Sequence, residues 1–460
     1  MLSKSTRRIL VSSLIVGAGF LVSKITGFLD DRILVQTIGR SSELDAYYAA
    51  YNLPDLLFTL IAGGALAAAF IPIFTGCLTR EDRPGAWRLF SAVVNTAFIA
   101  AAIGATILAL CAPWIVAQTV AQGFTPEYQQ LTANLMRTLL IGTVVFAIGG
   151  VVMSSLQANQ HFFLPALAPI MYNLGVLGGV IFLAPTIGVW GPTLGAVIGA
   201  LLFLFIQIPG LIKYQARWSR WLGWHDANLR RVVKLMIPRV IQLGAIQVAS
   251  LVAVSLASTL PVGSVTALAN GWKVMQMPET LIATAIATAA FPTLSEFASR
   301  GQITQLRSTL RITLAAIIAL TIPATIGLLL MGQYVVAILY DASPDVMLPI
   351  TWAVHGYALG LVAQSALEVT ARTFYAQQDT WTPLYVSVGA MIVAIVASFT
   401  LRSVLGVGGL ALANAIGVTV EVATLLLILR RRLRIQISAA PVAPAVVLSA
   451  NEESAVPGGN

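Results

Sequence analysis

QANQHFFLPALAP, residues 157–169, returns 218 residues later as YAQQDTWTPLYVS, residues 375–387. The two stretches align without gaps and pair Ala158 with Ala376, Gln160 with Gln378 and Pro165 with Pro383. At the same offset Gly191, Leu194, Ile198 and Gly199 meet Gly409, Leu412, Ile416 and Gly417. Nearer the start, Arg7-Arg8 meets Arg230-Arg231 at 223 and Pro54 meets Pro278 at 224, so small gaps explain the drift. A chain that contains itself twice is built from two related units. What lies between these anchors decides what the units are.

The composition places them in a membrane. Of 460 residues 58% are hydrophobic and only 10% are charged, with a mean hydropathy of +0.86. A soluble domain carries about 25% charged residues. Crossing the hydrocarbon core takes about 20 apolar residues per helix. On that measure twelve spans are predicted, at 9–34, 45–75, 87–112, 129–155, 163–184, 190–213, 230–258, 264–295, 308–331, 346–375, 382–402 and 407–429. The first 24 residues imitate a signal peptide but lack an A-x-A site, so they are read as the start of a retained first span. The fold expected is an all-α polytopic membrane protein of about 12 transmembrane helices in two six-helix lobes.

The net charge of +9 does not point to nucleic acid, because of where the cations fall. Lys4, Arg7 and Arg8; Arg80, Arg83 and Arg88; Lys213, Arg217, Arg220, Arg230, Arg231 and Lys234; Arg300, Arg307 and Arg311; and Arg430, Arg431, Arg432 and Arg434 fall at the N-terminus, in loops with the span ends beside them, and at the C-terminal end. The alternate loops 113–128, 185–189, 259–263 and 332–345 hold no Lys or Arg. By the positive-inside rule both termini of this multi-pass protein are cytoplasmic. The divisions expected are an N-terminal lobe at 1–215, a linker at 216–229, a C-terminal lobe at 230–435 and a disordered tail at 436–460. The linker region, KYQARWSRWLGWHDANLRR, is basic and Trp-rich, which suits a helix lying at the interface against anionic lipids. Cys77 and Cys111 fall at opposite membrane faces and are read as unpaired, small core residues.

Six spans is an even number, so the halves share one topology and are related by an axis along the membrane normal. Parallel repeats of this kind occur in transporters, with the substrate path between the halves. Duplication kept for packing alone is the plainer reading. Ionisable groups within spans are therefore the functional candidates. In KITGFLDDR, residues 24–32, Lys24 follows about 15 apolar residues and is the deepest charge of the first span. Asp31, seven residues on, shares its helix face. Asp30 and Arg32 are expected near the outer rim, and a snorkelling Lys24 is the structural alternative. Lys273 and Gln276 share a face of the eighth span. Arg239 follows Pro238 and could bond the carbonyl that the proline frees. Asp55, after Pro54, could cap a broken helix. Glu368 and Arg372 form an i,i+4 pair, and Arg137 and Glu421 are candidate ties between helices.

The sequence has no G-x-x-x-x-G-K-[ST] and no H-E-x-x-H, and its three histidines lie far apart. No enzyme, cofactor or metal site is expected. A gradient-driven carrier or a lipid translocase fits better.

Residues 27–74, GFLDDRILVQTIGRSSELDAYYAAYNLPDLLFTLIAGGALAAAFIPIF, carry G-F-x-x-D, then D-A-[YF]-[YF]-x-A-[YF]-x-L-P-x-L-L, then G-A-x-x-x-A-F-[IV]-P. Together with NQHFFLPALAPIMYN (159–173), HDANLRRVVKLMIP (225–238), MPETLIATAIATAAFPTLSEFAS (277–299) and FYAQQDTWTPL (374–384), this resembles the MurJ/MviN family of lipid II flippases. The resemblance spans roughly residues 7–432. It implies two six-helix lobes around a central cavity, alternating access, and a lipid-linked oligosaccharide or lipid II as cargo. It also implies cavity cations that bind the cargo's pyrophosphate. Lys24 and Lys273 stand where the family usually has arginines, keeping the charge but not the bidentate fork. Asp31 and Asp45 match family acids. Asp30 occupies a usual arginine position, Phe58 and Thr59 replace an Arg-Arg pair, and Gly63 replaces an acid. Typical members have two further spans that form a groove for the polyprenyl tail.

The substrate contacts expected are thus Lys24, Lys273, Asp31, Arg239 and Gln276, with Asp45, Asp30 and Asp55 as ion or gating groups for Na⁺ or H⁺ in a monomer. The rival expectations are an ion-coupled small-molecule or drug exporter and a non-transporting membrane scaffold.

Overall fold

The computed structural model describes residues 22–61 and 64–439. The chain is helical at 22–38 (α1). It continues through Ser42–Ile61 (α2), Gly64–Thr79 (α3), Arg83–Leu110 (α4), Ala112–Gln118 (α5) and Pro126–Ala158 (α6). Phe163–Gly178 (α7) widens into a π turn at Gly179–Leu183 and runs on as Ala184–Ile187 (α8), followed by Trp190–Phe205 (α9) and Ile208–Lys213 (α10). The second half holds Ala227–Ser258 (α11), Ser264–Pro278 (α12), a π turn at Glu279–Thr284, Ala285–Ser299 (α13) and Ile303–Tyr340 (α14). Pro344–Ala358 (α15), Leu361–Ala376 (α16) and Trp381–Ala439 (α17) complete it.

The predicted spans fall on these helices. Seven described helices are long and apolar enough to cross a membrane, or eight if α15 and α16, bent by 48°, are one span. One of the seven, α17, is two spans joined at Gly406. The remaining predicted spans, α1, α2–α3 and α11, hold polar groups such as Asp31, Asp45, Asp55 and Lys234. Residues 9–21 of the first span and 440–460 of the predicted tail lie outside the described residues.

The repeat is visible in the backbone. After α6, Gln160 takes a left-handed φ of 58°, and His161 N–H bonds Leu156 C=O at 2.9 Å. After α16, Gln378 takes φ 60°, and Asp379 N–H bonds Phe374 C=O at 3.0 Å. This is one helix-ending turn used twice, closing over carbonyls that the helix leaves open. The turns between α3 and α4 and between α13 and α14 repeat it, with Glu81 at φ 59° and Gly301 at 66°. Gly188 has φ 58° and ψ −137°, and Gly406, 218 positions later, has φ 57° and ψ −133°. Only glycine tolerates that region comfortably, so both halves break their last hairpin on the same residue type.

Little hydrophobic force drives helices together in lipid, so close backbone packing takes over. In the N-terminal lobe α7 and α9 meet through glycines. A Cβ added at Gly175 would lie 2.3 Å from Gly199 Cα, and one at Gly179 would lie 2.3 Å from Gly191 O.

Two ends can be distinguished. The basic end carries the turns at 80–82, 159–162, 214–226, 300–302 and 377–380. The far end carries those at 39–41, 119–125, 188–189, 259–263 and 341–343. One apolar core joins both lobes at the far end, from Leu34, Val35 and Leu44 to Val265, Leu268, Val336 and Tyr340. Toward the basic end the core divides, one part around Phe70, Phe74 and Trp87 and the other around Leu310, Phe374 and Leu425. The chain is an all-α polytopic membrane protein whose two six-helix lobes meet at the far end and flank a central cavity.

Three expectations need correction. The linker at 214–226 is a coil rather than an interfacial helix, because Ser91 and Asn95 of α4 take its backbone hydrogen bonds. Asp55 does not cap a broken helix, since α2 passes through Pro54 unbroken. Cys111, at the α4–α5 junction, is exposed rather than in the core, and both cysteines are free.

Candidate functional site

The cavity has a volume of about 760 Å³ and draws its wall from both lobes. The sequence of α1 places Lys24, Asp30 and Asp31 on it, and α12 answers with Lys273 and Gln276. Asp30 is only 6% exposed, which corrects its expected place at the outer rim. Its Oδ1 is buried without a hydrogen bond. Arg32, one residue beyond Asp31, is at the rim as expected, where its guanidinium meets Asp341 at 2.9 Å.

Lys24 and Asp31 share a helix face, yet Asp31 is held by Lys273 of the opposite lobe. The Lys273 ammonium donates to both Asp31 oxygens at 2.7 Å. It also sits 5.3 Å from the centroid of the Tyr48 ring, a cation–π contact. Tyr48 OH donates to Asp31 Oδ1 at 3.0 Å and lies 3.3 Å from Asn270 Oδ1, which accepts from Tyr340 OH at 3.2 Å. A buried polar chain thus runs from α1 through α2 and α12 to α14. Its members are mutually satisfied, which rigidifies this end of the cavity. Lys24 lies within electrostatic reach of Glu279 and Lys273. Glu279 is on the π turn, where Thr280 and Thr284 donate to its carboxylate.

Asp45 closes the far end. It is 3% exposed, on α2, and its carboxylate accepts from Gly263 N–H at 2.6 Å, Thr266 N–H at 2.8 Å and Thr266 Oγ1 at 2.7 Å. Gly263 is the cap position of α12 and has no side chain to offer. One lobe therefore caps a helix of the other, and the positive helix end favours the carboxylate. Arg40 reinforces the seal through Val262 O at 2.5 Å. Gln36 Nε2 adds a bond to Asp341 O at 3.0 Å.

Asp55 reaches across the lobes as well, accepting from Gln247 Nε2 at 2.8 Å. The side chain of Arg239 lies outside the described residues. The Glu368–Arg372 pair forms at 2.9 Å, with Arg372 also bonding Thr288 at 2.8 Å. Arg137 ties α6 to α4 through Ala109 O at 2.9 Å, and Glu421 bonds Ser387 across the two halves of α17.

The tyrosines went unread in the sequence. Tyr47, Tyr48, Tyr51 and Tyr172 line the cavity, with Tyr47 OH donating to Tyr51 OH at 3.1 Å. The run DAYYAAY carried the signal: tyrosines at i, i+1 and i+4 beside an acid are costly in lipid unless their hydroxyls find partners. Asn173 was also missed. It fastens α7 to α1 through Ser23 O at 2.6 Å and Thr26 Oγ1 at 2.9 Å.

A charged cavity between two repeated lobes, sealed at one end by hydrogen bonds that cross between them, defines a polytopic membrane transporter. The model of the lipid II flippase MurJ family matches residues 34–446, and the chain belongs to that family. The lipid II flippase MurJ of Burkholderia cenocepacia is 26% identical over 437 residues, covering 92% of this chain and 84% of its own. A probable lipid II flippase MurJ of Thermotoga maritima is 27% identical over 404 residues, covering 86% and 80%. Among solved structures, a lipid II flippase MurJ in an inward closed conformation superposes with a TM-score of 0.78 at 21% identity, covering 92% and 90%. An inward-facing multidrug resistance MATE family transporter gives 0.76 at 14% identity, covering 91% and 96%. These two share the fold.

Proposed function

We propose that the chain is a lipid II flippase of the bacterial cytoplasmic membrane. It carries a pyrophosphate-linked polyprenyl saccharide from the inner to the outer leaflet by alternating access, for peptidoglycan synthesis. The observation that carries this reading is the meeting of Lys24 and Lys273, from opposite lobes, in one cavity of a chain that belongs to this family. The basic end is cytoplasmic, with both termini there, on the positive-inside pattern. One chain supplies both lobes and hence a whole cavity, which favours a monomer. The lobes run from 1 to 215 and from 230 to 435, the linker 216–229 joins them, and 436–460 is a tail.

The two lysines hold phosphate oxygens, Gln276 adds a neutral donor, and Asp31 positions Lys273. Arg239 is a further cation for the same path. The ammonium of Lys273 has three N–H donors, so it can turn one to a phosphate while keeping Asp31. The wall also holds Asp30, Asp31, Asp55 and Glu421, so it is net negative when every carboxyl is ionised. A diphosphate is repelled from such a wall unless cations or protons enter with it, which favours coupling to Na⁺ or H⁺ with Asp30 and Asp55 as the groups served. Asp45 is the gate.

Rescue of a strain depleted of its own lipid II flippase tests the reading. Wild type restores growth and Lys24→Ala with Lys273→Ala does not. Flipping that survives the double substitution in reconstituted vesicles overturns it.

A further inference from the structure

The inter-lobe linker is pinned along α4. Asn95 Nδ2 donates to Ser219 O at 2.8 Å and to Trp221 O at 2.9 Å, Ser91 Oγ accepts from Ser219 N–H at 3.1 Å, and Trp218 Nε1–H donates to Asn95 Oδ1 at 3.0 Å. Pinning creates a second cavity, of about 450 Å³, at the basic end of the N-terminal lobe. Arg83, Arg88 and Arg217 line it with Trp87, Tyr214 and Trp218, and no lining residue is acidic. None of the ion pairs among the described residues involves these three arginines. The nearby Asp82 is engaged as the cap of α4, accepting from Gly85 N–H at 2.8 Å.

Three guanidinium groups face one pocket whose wall has no acidic side chain, and an anion seated there gains from all three. Guanidinium matches phosphate oxygens in geometry as well as charge. The rings set the depth of the site. Trp218, Trp221 and Trp224 are 59%, 42% and 64% exposed, and indoles left open on a membrane protein sit at headgroup level. A phosphate that reaches this pocket therefore arrives in the plane of the bilayer surface, with a glycerol and acyl chains beside the rings.

We propose that this pocket binds the phosphate headgroup of an anionic phospholipid, and so anchors the linker that joins the lobes. The site is separate from the central cavity and does not depend on the flippase reading.

The test uses the full chain in nanodiscs of phosphatidylcholine with increasing phosphatidylglycerol, reading lipid retention by native mass spectrometry. Retention reads the lipid held by direct contact rather than the general attraction of a basic surface; taking about fivefold for each arginine that contacts the bound headgroup, Arg83→Gln, Arg88→Gln and Arg217→Gln together weaken retention on the order of a hundredfold. A control that neutralises Arg307, Arg311 and Arg430, on the same end but outside the pocket, keeps retention within about threefold of wild type. Equal losses in both variants, or none in either, overturn the proposal. So does displacement of the lipid by millimolar inorganic phosphate, which would mark a free-phosphate site. An unchanged melting temperature in pure phosphatidylcholine shows that the triple variant is folded. If it is not, Arg217→Gln alone is expected to lose about fivefold while Arg217→Lys holds, and equal behaviour of the two overturns the proposal.

Discussion

Replacing Asp45 with Ala should open the far end of the transporter. The carboxylate receives two backbone N–H groups and one hydroxyl from the opposite lobe, at 2.6–2.8 Å. A lost helix cap costs about 1 kcal/mol. A charge at a partly buried helix N-terminus contributes up to about 2 kcal/mol more. The freed N–H groups gain water only when the lobes separate, so the loss of about 3 kcal/mol falls on the sealed state. The ratio of sealed to open molecules should then fall on the order of a hundredfold. Asp45→Asn keeps an acceptor without the charge and should fall between. Thr266→Val, which removes one of the three bonds, should shift the ratio by about fivefold. Spin labels at Glu43 and Asp345, exposed on opposite lobes of the far end, would report the separation by electron double resonance. Cys77 and Cys111 must first be replaced with alanine. Distance distributions that stay the same in Asp45→Ala and Asp45→Asn would refute the inter-lobe cap as the seal.

Gly175→Ala drives a methyl group to 2.3 Å from Gly199 Cα, so α7 and α9 must part. Melting in detergent should fall by several degrees, and Gly178→Ala, which meets open space, should cost far less. Lys273→Ala leaves Asp31 without its ion pair in a site where the Asp31 side chain is 11% exposed. Because Lys273 is 39% exposed, solvent screens part of the loss, and a destabilisation of about 1–3 kcal/mol is expected in a denaturant titration, with Lys273→Arg close to wild type. Asp379, in the turn between α16 and α17, feels a burial that pushes its carboxyl up, but bonds from Thr382 and Arg432 outweigh it and hold the group below the usual carboxylate range. Its contribution is present above the ordinary aspartate pKa and is lost as pH falls through the lower folded value. Asp379→Asn should therefore lower the melting temperature at pH 7 and flatten its decline in acid.

Much of the fold was legible because it rests on one-dimensional signals. Apolar length marks a span, since a helix in lipid must satisfy its own backbone. Turn glycines and the Gln160 and Gln378 caps recur because the same chain reversal is needed in both halves. The linker was misjudged because side chains 124 to 128 residues away, Ser91 and Asn95, supply hydrogen bonds that its own sequence does not advertise. Asp30 was misjudged for a related reason. Counting residues along α1 gives depth in the bilayer, but it does not show which side of the helix faces the cavity wall, and there Asp30 is packed to 6% exposure.

The sequence by itself determined the membrane, the succession of apolar helices, the duplication and the acidic and basic candidates, because those follow from hydropathy, period and charge along the chain. The pairing of the candidates belonged to the tertiary structure. Lys24 and Asp31 share a helix face, yet Asp31 bonds Lys273, 242 positions away, since the α1–α12 crossing puts that ammonium 2.7 Å from it. Asp45, expected as an ion or gating group, caps a helix of the other lobe. In lipid a polar group is stable only beside a partner, and which partner it meets is set by how the helices cross.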